Sequence, residues 1–131
     1  MARVLLDTTV LIDVLRGRHG TIARLRGLHA AGDVAMTSVI NAEEVVRGLR
    51  PGERPHAERL LAGLTLAPLR MGDGLRAGDW RREYAARGLT LTQADCLVAA
   101  AALGMNARLA TANVRDFPMQ ELSVELWPGG E

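Results

Sequence analysis

"RVLLDTTVLIDVLRG", residues 3–17, begins with a short apolar run and passes at Asp7 into a segment with helical spacing. RVLL is too short for a helix and lacks the alternation of a half-exposed strand. It therefore reads as a strand buried on both faces. A threonine can cap the segment after Asp7 and Gly17 stops it, so a short helix is expected over 8–17. Strand leading directly into helix is half of a βαβ unit, and the rest of the chain decides whether the pattern repeats.

It does repeat. TIARLRGLHAAG (21–32) places Ile22, Leu25 and Leu28 on one helical face and ends on Gly32. DVAMTSVI holds a second strand, after which Ser38 can cap a helix through NAEEVVRGL. RPGERP (50–55) is the clearest turn, HAERLLAGL is helical, and TLAPL (65–69) resembles a strand. DGLRAGDWRREYAARG (73–88) and LTLTQADCLVAAAALG are helical, with TQAD resembling a capping box. ARLAT (107–111) and SVELW (123–127) supply the last strands, joined by ANVRDFPMQEL. Short apolar strands alternating with helices predict an α/β fold, a three-layer sandwich with a central, mainly parallel sheet flanked by helices. No repeat or linker divides the chain, so residues 1–131 are expected to form a single domain.

Composition narrows the function classes. With 48% hydrophobic and 24% charged residues the sequence is ordinary for a globular protein. A net charge of +1 gives no electrostatic pointer to nucleic acid or membrane. All 16 basic residues are arginine, which, with abundant Ala, Gly and Leu, reads as coding bias. The one cysteine, Cys96, excludes an internal disulfide and fits a reducing cytoplasm. No apolar run reaches the ~18 residues of a membrane span, and the N-terminus lacks a signal-peptide core. A cytoplasmic protein is expected.

Ligands of parallel α/β sheets bind beyond the carboxyl ends of the strands. Asp7 ends the first strand, Glu43 and Glu44 lie in the helix after the second, Asp95 opens the apolar helix, and Asp116 comes after ARLAT. Each has a purely structural reading: a turn for Asp7 and Asp116, a pair with Arg47 for Glu44, and the helix dipole for Asp95. Asp95 is the most informative, because Val98, Ala99 and Ala102 share its helical face and an ionised carboxylate there needs compensation. Together these acids support a site for a hard cation, Mg²⁺ or Mn²⁺. Such ions take oxygen ligands and can activate water for phosphodiester hydrolysis.

The same segments, in this order, resemble PIN-domain nucleases, specifically the VapC-type toxins of toxin–antitoxin pairs. LLDTTVLIDVLRG resembles the opening Asp–Thr–Asn/Ser motif, and TSVINAEEVVRG the Ser-x-(Ile/Val)…Glu…Gly segment. LTQADCLVAAAAL resembles the third-acid motif, and TANVRDF the closing Thr-x-Asn-x-x-Asp-Phe motif. The resemblance spans essentially the whole chain. It implies a metal-dependent endoribonuclease with Asp7, Glu44, Asp95 and Asp116 as catalytic and metal-binding residues. The glutamate of the family usually precedes the glycine by four residues, so the resemblance selects Glu44 before Gly48, whereas helical periodicity leaves Glu43 open. Thr9 stands where the family often has asparagine, and its hydroxyl could bond a carboxylate or water. Asn113 stands where some members have an acid, leaving Asn113 or Asp116 as the fourth metal-site residue. Thr111 is a candidate supporting partner. The resemblance also implies an RNA substrate, a VapB-type antitoxin that blocks the acidic groove, and a homodimer that can join larger assemblies.

Arg81, Arg82 and Arg87 could hold the RNA backbone, or they could form a solvated face with a Glu83–Arg87 pair. Competing chemistries fit poorly. An aspartyl-nucleophile phosphatase needs an acid where Thr9 stands, no G-x-G-x-x-G succeeds the first strand, and His19, His29 and His56 lack zinc-ligand spacing. The remaining alternative is a non-catalytic PIN-like module that binds RNA or protein. Base stacking in it would be limited to Trp80, Tyr84, Phe117 and Trp127.

Overall fold

A computed structural model describes residues 1–127. Five strands, β1 (Arg3–Leu6), β2 (Val34–Thr37), β3 (Thr65–Leu66), β4 (Arg108–Thr111) and β5 (Val124–Leu126), form one sheet in the order β3-β2-β1-β4-β5. Every pairing is parallel, so the expected sheet is parallel throughout among the described residues. The helices are α1 (Thr8–Leu15), α2 (His19–Ala30), α3 (Val39–Arg47), α4 (Arg54–Ala62), α5 (Met71–Ala86) and α6 (Gln93–Gly104). A single 3₁₀ turn at Val114–Asp116 comes after β4.

The central position of β1 explains its sequence. Val4, Leu5 and Leu6 are all fully buried, and they alternate between two cores. Leu5 joins Met36, Leu109 and the apolar sides of α5 and α6. Val4 and Leu6 join Ala35 of β2 and Val10, Leu11, Val45 and Ala57 from α1, α3 and α4. These are the two interfaces of a three-layer sandwich. Ala99–Ala102 are fully buried in α6, so its apolar surface is not confined to one stripe, as expected of a helix enclosed by its neighbours.

Two local expectations are trimmed. TLAPL yields only Thr65–Leu66 as strand, because this is an edge strand and Pro68, lacking an N–H, cannot extend a ladder. The capping box at TQAD is half made: Thr92 Oγ1 accepts from the Asp95 N–H at 3.1 Å, without the reciprocal bond. No helix among the described residues is long and apolar enough to cross a membrane.

The chain runs outward from β1 through β2 to β3, then crosses back to place β4 on the other side of β1. The strand order reverses between β1 and β4, and such a switch point is where parallel α/β sheets open a crevice at their carboxyl edge.

Candidate active site

Asp7 stands at that crevice. Its N–H donates to the Ala110 carbonyl at 2.9 Å, carrying the β1–β4 ladder one residue past the strand. Although Asp7 is the N-cap of α1, its side chain makes no capping bond, so a helix-capping role does not account for it. Only 6% exposed, it accepts from Thr111 Oγ1 at 2.8 Å and from Asn41 Nδ2 at 3.4 Å.

Asn41 organises the neighbouring strand end. Its Oδ1 accepts from the Ser38 hydroxyl at 2.6 Å and from the Ser38 N–H at 3.2 Å, closing a capping box on α3. Its amide nitrogen also donates to Thr8 Oγ1 at 3.1 Å, and that hydroxyl donates to Glu44 Oε1 at 2.6 Å. A continuous chain of hydrogen bonds therefore ties the ends of β1, β2 and β4 to Glu44. Asn41 and Thr8 escaped the sequence reading. The spacing Ser38-x-x-Asn41 was the available signal for the first, being that of a capping box with asparagine in the third helical position.

The double glutamate separates by geometry. Glu44 is partly buried and bonded to Thr8, whereas Glu43 is exposed and is not among the charges that perturb Asp7 or Asp95. Asp95 lies in the first turn of α6 and Asp116 closes the 3₁₀ turn after β4. Thr9 takes a different part from its neighbour: its hydroxyl accepts from the Ala112 N–H at 3.1 Å and fastens α1 to the end of β4. Asn113 donates its backbone N–H to Thr111 Oγ1 at 3.0 Å, and its side chain is exposed. The expected Glu83–Arg87 ion pair does not form among the described residues; Arg87 lies over the Tyr84 ring at 4.6 Å. Arg81 donates to the Leu91 carbonyl at 3.3 Å, beside the start of α6.

The acids influence one another. Burial raises the Asp7 pKa above the usual carboxylate value, the Thr111 hydroxyl and the Thr8 N–H oppose the rise, and Glu44 and Asp116 add to it. Asp95 is pushed up to about 6, first by burial and then by Asp116, Asp7 and Glu44, against the Thr92 hydroxyl. Four carboxylates from four segments thus share one negative field. No three Asp, Glu, His or Cys side chains among the described residues close into a ready-made metal cage. An open, all-oxygen set with a desolvated acid at its centre fits a hydrated hard cation. Mg²⁺ takes few protein carboxylates and keeps several waters.

Comparison with known proteins identifies the family of the fold. Residues 4–119 match the PIN domain. The chain belongs to the PIN domain family. It is 36% identical to ribonuclease VapC10 of Mycobacterium tuberculosis over 118 residues, covering 90% of this chain and 88% of that protein. It is 30% identical to ribonuclease VapC19 of the same species, covering 88% and 92%. Its fold is similar to a chain of VapBC2 from Rickettsia felis, solved bound to a DNA fragment from the promoter. There the TM-score is 0.83 at 22% identity, over 96% of this PIN domain chain and 99% of the other.

Proposed function

We propose that this protein is an Mg²⁺- or Mn²⁺-dependent endoribonuclease, the VapC-type toxin of a toxin–antitoxin pair. One observation carries the reading: burial, with the neighbouring carboxylates of Glu44 and Asp116, raises the pKa of both Asp7 and Asp95 at the switch point of a PIN fold. Like charges gathered in this way are costly unless a cation offsets them. Relatives named as ribonucleases, at 36% and 30% identity over most of the chain, support the substrate class.

Asp7 and Asp95 would anchor the cation, with Glu44 and Asp116 holding a second ion or bound waters. Bound there, a divalent ion supplies Lewis acidity, lowering the pKa of water and offsetting charge that builds on the phosphate. Thr111 and Asn41 fix the Asp7 carboxylate, and Thr8 fixes Glu44, so that the acids are held before RNA arrives. The carboxylates would orient water for in-line attack on phosphorus, and the P–O bond to the departing ribose oxygen breaks. The VapC-type reading carries with it a cognate antitoxin that covers the acids, a homodimer within the complex and a cytoplasmic location.

Purified, antitoxin-free protein incubated with a cellular RNA pool and Mg²⁺, Mn²⁺ or EDTA tests the reading. Discrete cuts are expected with metal, and none with EDTA or with Asp95→Asn. A folded, metal-loaded protein that leaves every RNA intact would instead be a binding module.

A further inference from the structure

Immediately beyond β4 lies a cavity of about 520 Å³ walled by Ala112, Asn113, Val114, Arg115, Asp116 and Leu126. Its size falls in the range of roughly 300–1,000 Å³ typical of small-molecule sites. It shares Asp116 with the acidic site, so whatever occupies it is adjacent to the reacting phosphate. Its walls are mixed. Val114 and Leu126 are 40% and 53% exposed, leaving an apolar surface that no packing explains. The side chains of Asn113 and Arg115 are exposed and make no hydrogen bond or ion pair among the described residues.

We propose that this cavity seats one unpaired nucleobase of the RNA, next to the scissile phosphate, and that Asn113 and Arg115 determine which base is accepted. The inference rests on the nuclease reading above. A phosphate would suit the cavity poorly, because the Asp116 carboxylate lines it along with the single guanidinium of Arg115. A neutral base suits it well. Splayed single-stranded bases are recognised by stacking on apolar or guanidinium surfaces and by hydrogen bonds to their edges. Val114, Leu126 and the Arg115 plane supply the surface. The Asn113 amide both donates and accepts, and Asp116 can accept from an exocyclic amine. The pocket also gives Asn113 a role apart from the metal, reading the base while Asp116 supplies charge.

A randomised single-stranded RNA pool, cut in Mn²⁺ by the full chain and by Asn113→Ala and Arg115→Ala, tests this when the cut ends are sequenced. Wild type should favour a particular base at one position beside the cut. Each variant should flatten that preference by about fivefold or more, the worth of one net hydrogen bond. Unchanged preferences, with only the rate altered, would overturn the subsite while leaving the nuclease intact. Weakened antitoxin binding with unchanged preferences would give the pocket to the inhibitor and overturn it equally. A second arm titrates Asp95→Asn with a short RNA and tracks the backbone amides of residues 112–116 and 126 by NMR. If nothing cuts, shifts there uphold the pocket and remove the nuclease reading, whereas silence there removes the pocket.

Discussion

At the residue scale the carboxylates are set against stability. Folded Asp95 holds its proton to about pH 6, whereas an unfolded carboxylate releases it near 3.8. Between those values the folded chain binds more protons, so stability falls as pH rises through the window and stays low above it. Asp7 shifts in the same direction. Metal-free protein should therefore melt a few degrees higher near pH 5 than near pH 7.5, by calorimetry. Asp95→Asn should flatten that profile and raise the melting temperature at neutral pH while abolishing cleavage. An acid in the first turn of α6 also gains from the helix dipole, but the raised pKa shows that desolvation and repulsion outweigh it. A less stable Asp95→Asn at neutral pH would refute this. Thr8→Val keeps the shape and removes the hydroxyl that holds Glu44. Loss of such an outer partner should weaken Mn²⁺ binding by about tenfold in titration calorimetry. Unchanged affinity would show that Glu44 needs no support.

At the element scale, most of the architecture could be read directly, because β1, β2 and β4 carry short apolar runs and their helices end on recognisable stops. Gly17, Gly32 and Gly88 adopt φ between 76° and 81°, a region that side chains disfavour, and all three mark real helix ends. The errors arose where tertiary context decided. Position in the sheet, at an edge, shortened β3. Asn41 was passed over because a helix cap is a local matter, whereas its bond to Asp7 spans 34 residues of sequence. Glu43 and Glu44 were ambiguous because periodicity assigns faces, whereas the Thr8 hydroxyl, burial and the field at Asp7 and Asp95 distinguish the two. Ser38→Ala removes the hydroxyl that caps α3 and bonds Asn41 Oδ1, leaves the Asn41 bonds to Asp7 and Thr8 in place, and should cost about 1 kcal/mol in urea denaturation. Asn41→Ala keeps the bond from the backbone N–H of residue 41 to Ser38 Oγ but removes the side-chain half of the box together with the bonds to Asp7 and Thr8, leaving buried polar groups unpaired, and should cost roughly 1–2 kcal/mol more. Equal losses would mean that the bridge between strand ends contributes nothing.

At the scale of the whole molecule, Asp7 sits where the fold is most enclosed. β1 is central in the sheet and enclosed by both cores, so the strand that presents Asp7 has no freedom to relieve repulsion by moving away. The strain must be met by protonation, as at low pH, or by a cation. These two remedies compete for the same carboxylates. A divalent ion should therefore stabilise the protein most where the acids are ionised, and its effect should fade as pH falls through 6. An ion present at about a hundred times its dissociation constant adds about 2.7 kcal/mol to a folded state that alone binds it. Melting curves with saturating Mg²⁺ or Mn²⁺ should consequently lie well above those in EDTA near pH 7.5 and approach them near pH 5. Asp7→Asn and Asp95→Asn should lose most of the metal-dependent rise. If metal raised the melting temperature equally in wild type and in both variants, the ion would be binding elsewhere, and these acids would not be the metal site.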